Sequence, residues 1–156
     1  MSSMLDNWFG QGSSELPPPM RVYLLSQGAI VAGTLALAAE LGIADHLVDG
    51  PRSSEELAQA TSTHPRSLYR LLRLLCSVGV FTEIQPDSFA QTPLSECLRT
   101  GAPGSMRSWL RMTGLKNRYQ MQAEALHSIK TGEPVFELVR QRRQHLQRLN
   151  QYHFRA

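Results

Sequence analysis

The sequence is short of the features on which most enzymes are built. It has two cysteines, Cys76 and Cys97, too few and too isolated for paired metal-ligand spacing or a disulfide framework, so reduced thiols in a cytoplasmic setting are expected. Its five histidines, His46, His64, His127, His145 and His153, never fall at the H-x-x-x-H spacing that sets two imidazoles on one helical face. No G-x-G-x-x-G or G-x-x-x-x-G-K turn occurs, which removes the usual backbone cradle for a nucleotide phosphate. A G-x-S-x-G nucleophile elbow is also missing. Catalysis by this chain alone therefore has no local support, and neither a metal nor a cofactor site is expected on it. The first 16 residues are rich in Ser and Gly, carry Asp6 and Glu15 and have no apolar run, so they read as a flexible leader rather than a secretory signal.

Acidic residues are missing from the far end. All 13 lie at or before Glu137. Up to Val139, eleven Lys and Arg face those thirteen carboxylates, a balance of −2, while Arg140, Arg142, Arg143, Arg148 and Arg155 give the end +5. The formal net charge of +3 thus belongs to residues 140–156, which read as a poorly ordered basic tail. Counterion release on an anionic surface is the alternative use of such a tail.

What the chain does have is enough apolar material for one domain: 156 residues, 42% hydrophobic and 19% charged. The most apolar stretch begins after Pro17-Pro18-Pro19, and residues 22–39 carry no charge. As a helix those 18 residues span about 27 Å, near the lower limit for crossing a bilayer. Ser26, Gln27, Gly28, Gly33 and Thr34 interrupt the run and no strong basic cluster flanks it, so a membrane is not the expected partner. Val22, Leu24, Leu25, Ile30, Val31, Leu35 and Leu37 surround nearly the whole helical circumference. A small chain can cover one side of such a rod. A second subunit is the expected cover for the other, through Leu24, Leu25, Ile30, Val31, Leu35 and Leu37.

Downstream, Gly42 ends the rod and Asp49-Gly50-Pro51 stops a short turn of helix. Ser53 with Glu56 three residues on forms a capping-box pattern. His64-Pro65 opens a second helix, capped by Thr63 or His64, whose Leu68, Leu71, Leu72, Leu75 and Val78 keep helical spacing up to Gly79. Residues 80–84 and 89–92 read as short strands joined by Pro86-Asp87-Ser88. Thr92-Pro93 starts a short helix, residues 106–113 another, and residues 116–130 one longer helix ended by Gly132 and Pro134. Helix, turn, helix, hairpin is the order of a winged helix-turn-helix unit. The expected fold is mainly α with one small β-hairpin.

Two side-chain sets invite alternative functions. Arg66, Arg70 and Arg73 line the face opposite the leucines of the second helix, where a winged-helix regulator would contact DNA. The plain alternative is a solvated face, and the would-be wing, residues 83–88, is acidic where a phosphate-facing wing is basic. Nucleic acid is therefore not the favoured partner. Met106, Trp109 and Met112 form an apolar helical stripe that reads as core, or alternatively as the wall of an apolar substrate pocket.

The order of several short segments resembles a known family. Ala36-Leu37-Ala38-Ala39-Glu40-Leu41-Gly42-Ile43-Ala44-Asp45-His46-Leu47, Glu55-Glu56-Leu57-Ala58, Ser67-Leu68-Tyr69-Arg70-Leu71-Leu72-Arg73, Gly79-Val80-Phe81 and Thr92-Pro93-Leu94, followed by His127-Ser128-Ile129 and Thr131-Gly132-Glu133-Pro134-Val135-Phe136, are similar to the amino-terminal dimerisation region of SAM-dependent small-molecule O-methyltransferases. The resemblance covers residues 19–139, and residues 17–139 are taken as the dimerisation domain. It implies a helical winged-helix region that interlocks two subunits and lends part of a substrate pocket. It also implies SAM for the full-length family, bound by a following Rossmann-like domain that this sequence does not contain. No cofactor or catalytic residue carries over, and His127 is not assigned as a base. The partner implied is a second copy or a full-length family member. Weaker alternatives are a winged-helix DNA-binding regulator and a part that complements a separate methyltransferase chain. The switch to an Arg- and Gln-rich end after Val139 is expected to mark a truncated, frame-shifted or separately encoded half.

Overall fold

A computed structural model describes residues 16–114 and 116–140; the leader through Glu15 and the tail from Gln141 on lie outside them. The described residues form two compact units divided between Thr113 and Gly114. The first holds α1 (Pro18–Ser26), α2 (Gly28–Leu41), α3 (Ile43–His46), α4 (Ser54–Thr61), α5 (Pro65–Ser77), β1 (Phe81–Gln85), β2 (Ser88–Gln91), α6 (Pro93–Glu96) and α7 (Arg107–Thr113). The second holds α8 (Lys116–Ala123) and α9 (Ala125–Thr131), and residues 135–140 are also helical.

Local chemistry sets most of these boundaries. Ser53 Oγ accepts from the Glu56 amide at 3.2 Å while the Glu56 carboxylate accepts from the Ser53 amide at 2.7 Å, the reciprocal capping box expected for α4. His64 caps α5 with Pro65 in its first turn, where the missing N–H has no intrahelical partner to lose. Thr92 does the same for α6, taking the Leu94 and Ser95 amides on its hydroxyl and donating its own amide to Ser95 Oγ at 2.8 Å. Gly42 closes α2 at φ +65, a left-handed cap that favours glycine.

β1 and β2 pair antiparallel, Phe81 opposite Gln91 and Thr82 opposite Ala90, with an irregularity between Glu83 and Gln85. Arg52 adds a further antiparallel bridge, exchanging both backbone hydrogen bonds with Phe89 at 3.0 and 2.9 Å. The wing is thereby tied to the start of the helix-turn-helix, and Asp87 reinforces the tie by accepting from the Ser54 amide at 3.1 Å. Beneath it lies one core, built from Ala38, Ile43, Ala44, Leu47, Leu57, Ala58, Leu68, Leu72, Leu75, Val80, Phe81, Phe89 and Leu98. The mainly α fold with one hairpin matches the sequence expectation.

Two helix boundaries differ from it. The apolar rod is interrupted at Gln27: Ser26 Oγ donates back to the Tyr23 carbonyl at 2.6 Å and the Gln27 amide bonds Leu24, a local competitor for the helical ladder. Gln27 nevertheless keeps right-handed helical angles, so α1 and α2 run on from one another. The expected single helix over residues 116–130 breaks at Glu124, whose φ −96 and ψ 4 separate α8 from α9 through a tight turn from Glu124 to the His127 amide at 3.0 Å.

Candidate self-association surface

The rod formed by α1 and α2 has two unlike sides. On α2, Thr34, Ala36, Ala38 and Ala39 are buried, and the one buried hydroxyl among them is satisfied locally, Thr34 Oγ1 donating to the Ile30 carbonyl at 2.8 Å. Leu35 packs against the core, and Leu24 and Val31 are half-buried. The other side is open. Leu25, Ile30 and Leu37 are 50%, 55% and 55% exposed, and Val22 and Tyr23 are more exposed still. The six residues expected at a subunit contact therefore divide: Leu25, Ile30 and Leu37 face outward, while Leu24, Val31 and Leu35 serve their own chain in part. Pro18–Leu41 is also long and apolar enough to cross a membrane by length and composition, and its C-terminal half contributes Ala38 to the winged-helix core.

Beside the rod, α7 is fixed by arginines. Arg107 Nε donates to the Ala39 carbonyl at 2.8 Å, its guanidinium bonds Thr100 Oγ1, and it pairs with Asp45 at 3.3 Å. Asp45 in turn accepts from the Thr100 amide at 2.8 Å. Partial burial works against the Asp45 carboxylate, yet the Thr100 hydroxyl and amide, with Arg107 beyond them, hold it below the usual range. One turn further, Arg111 forms a two-pronged pair with Glu40 at 2.6 and 3.2 Å, whose hydrogen bond holds that carboxyl low. Leu110 turns to the core. Met106, Trp109 and Met112 consequently point away and are all about half exposed; the core reading of that stripe is corrected, because the two arginines direct the opposite face of α7 to α2. The outward stripe is available as a wall for something outside the unit.

The arginines of α5 are not equivalent. Arg66 and Arg70 are exposed. Arg73 pairs with Glu83 at 3.0 Å and lies over the Tyr69 ring, and Glu83 also accepts from the Asp87 amide. The acidic wing is thus spent on holding the hairpin to α5 and α4. Tyr69 meets Phe89 edge-on at 5.8 Å, a preferred aromatic geometry.

Groups with chemical potential are dispersed. Cys76 and Cys97 are free thiols, and burial pushes the Cys76 thiol up, away from the thiolate that nucleophilic chemistry needs. In the second unit, His127 bonds Glu133 at 3.1 Å and Ser128 Oγ donates to the Glu133 carbonyl, which fixes the turn at Gly132. Leu126, Ile129 and Phe136 there are well exposed. Among the described residues no three His, Cys, Asp or Glu side chains gather as a metal site.

The comparisons with known proteins identify the domain. The model of the O-methyltransferase dimerisation domain matches residues 23–101. Phenazine O-methyltransferase PhzM of Lysobacter antibioticus is 46% identical over 110 residues, covering 70% of this chain and 32% of that protein. The 8-amino-8-demethylriboflavin N,N-dimethyltransferase of Streptomyces davaonensis is 35% identical over 118 residues, covering 76% and 34% respectively. Among solved structures, that of LaPhzM superposes with a TM-score of 0.74 at 42% identity, covering 78% of this chain and 36% of that one. The chain spans about a third of the length of the curated relatives it matches. With its winged-helix core, outward apolar rod and matched span, the chain belongs to the O-methyltransferase dimerisation-domain family.

Proposed function

We propose that this chain is a self-association module, and that it supplies the subunit contact and part of a substrate-pocket wall for SAM-dependent methyl transfer, whose chemistry lies outside the third of its relatives that it matches. One observation carries the reading: Ile30 and Leu37 stand more than half exposed on α2, whose reverse face is already in the core, and Leu25 is half exposed on α1 before them. Leaving that much apolar surface in water is costly at about 25 cal/mol per Å², and a second copy offers the same surface in return. Met106, Trp109 and Met112, exposed on an ion-paired helix, are the proposed wall. Its setting is a reducing cytoplasm, in keeping with two unpaired thiols. SAM belongs to the complete assembly, and methyl transfer is proposed only when a catalytic domain is present, in the same polypeptide or in a partner chain of the family.

Duplex DNA is the weaker partner on this surface chemistry, because Arg73 is already paired and the wing presents carboxylates. Sedimentation equilibrium at micromolar concentration tests the proposal. A dimer is expected; a monomer throughout overturns it. Calorimetric titration of the same sample with SAM is expected to give no binding heat, and saturable binding would overturn the division of labour.

A further inference from the structure

The open side of the rod has a pattern finer than general greasiness. Tyr23, Ser26, Ile30, Gly33 and Leu37 follow one another at intervals of three, four, three and four residues, the seam of a helix that pairs with another. None of the five is buried. Large side chains occupy positions 23, 30 and 37 and small ones positions 26 and 33, so bulk alternates with gaps; Tyr23 and Leu37 stand seven residues either side of Ile30, with Ser26 four before it and Gly33 three after. Small residues between large ones allow two helix backbones to approach closely at the gaps while the large side chains fill the flanks.

Charge gives the seam a direction. α1 carries one charged residue, Arg21, at its N-terminal end, and α2 one, Glu40, at its C-terminal end, with none between. Two rods laid parallel stack like charge on like charge and align their helix dipoles. Two rods laid antiparallel set the Glu40 end of each against the Arg21 end, and the positive dipole end, of the other. Glu40 remains 59% exposed despite its pairing with Arg111, so its carboxylate is accessible to a neighbour.

We propose that two copies pair their α1–α2 rods antiparallel, with Ile30 on the two-fold axis. This rests on the self-association reading above and adds its register. The twin's Ile30 then meets Ile30, Tyr23 lies over the partner subunit's Leu37, and Ser26 and Gly33 mark the close approaches. An isologous contact of this kind closes on itself and leaves no sticky remainder to propagate.

Cysteine cross-linking of the full chain, in a Cys76→Ala, Cys97→Ser background, separates the alternatives. In the antiparallel register, Ile30→Cys forms a disulfide with itself under mild oxidation. Tyr23→Cys and Leu37→Cys do not, because like positions lie about 21 Å apart along the axis, seven residues on each side of the two-fold at about 1.5 Å each, beyond the roughly 7 Å reach of a disulfide. Mixing Tyr23→Cys with Leu37→Cys gives the hetero-linked dimer. All three positions are exposed, so folding is expected to survive. Spin labels at the same sites give a second measurement, with a short distance at position 30 and longer, similar ones at 23 and 37. A sedimenting dimer in which Tyr23→Cys and Leu37→Cys each link to themselves, or in which Ile30→Cys does not link, overturns the register alone. A monomer overturns the self-association reading beneath it.

Discussion

Asp45 shows how much of this molecule hangs on single side chains. It sits in α3, takes the amide and hydroxyl of Thr100, and faces Arg107 on α7, which also reaches back to the Ala39 carbonyl at the end of α2. Four segments meet at one carboxylate. Its depressed titration, like that of Glu40 beside Arg111, means the folded form holds these protons more weakly than the unfolded chain. The stabilisation is complete above the ordinary carboxylate range, about 3.9 to 4.3, and is lost as pH falls below it. Urea midpoints measured from pH 7 downward are expected to hold and then drop below about pH 4; Asp45→Asn is expected to lower the neutral-pH midpoint and flatten the acid drop. Gly42 is the second sensitive residue here. Its φ is +65, and a Cβ there would come within 3.1 Å of the Arg107 guanidinium. Gly42→Ala is therefore expected to cost about 1–2 kcal/mol in urea unfolding, with Arg107 displaced as well.

Helices of the winged unit were legible in sequence where their signals are local. Ser53 with Glu56, Pro65 after His64, and Thr92 before Pro93 each fix a boundary by chemistry within four residues; capping boxes form at Ser53 and Thr92, and α5 starts at Pro65 without a side-chain cap bond from His64. Ser53→Ala is expected to destabilise the unit by about 1 kcal/mol, read by the same unfolding curves. Leu72→Ala, which empties a fully buried position between α5 and its neighbours, is expected to cost about 2–5 kcal/mol. Boundaries and faces set by distant partners were not legible. Nothing near Trp109 says which side of α7 is outward; that is decided by Arg107 and Arg111 reaching α2 and α3, some 60 to 70 positions earlier. The break at Glu124 was hidden for a related reason, since residues 116–130 carry no Gly or Pro to announce it. The expected subunit-contact set lies on one rod by helical periodicity, but the rod's all-round apolar character could not tell Leu35, which turns inward, from Leu37, which does not.

At the scale of the whole molecule, the unanswered apolar surface is a thermodynamic statement before it is a functional one. On the proposed pairing, in which Ile30 and Leu37 are hidden only in the dimer, the chain is stabilised by its own concentration, because association draws on the folded form and not on the unfolded one. Raising the protomer concentration from about 1 to about 100 µM adds roughly 2.7 kcal/mol to each dimer, which for two chains of this size corresponds to an upward shift in Tm of roughly 4 °C. Scanning calorimetry across that range is expected to show the shift. Ile30→Asp, which puts an unpaired charge at the centre of the contact while leaving the core face of α2 intact, is expected to abolish it, with the melting curve becoming independent of concentration and far-ultraviolet circular dichroism staying helical. A wild-type Tm that does not move with concentration would mean the rod is tolerated bare in water, and the physical reason for reading this chain as half of a pair would be gone.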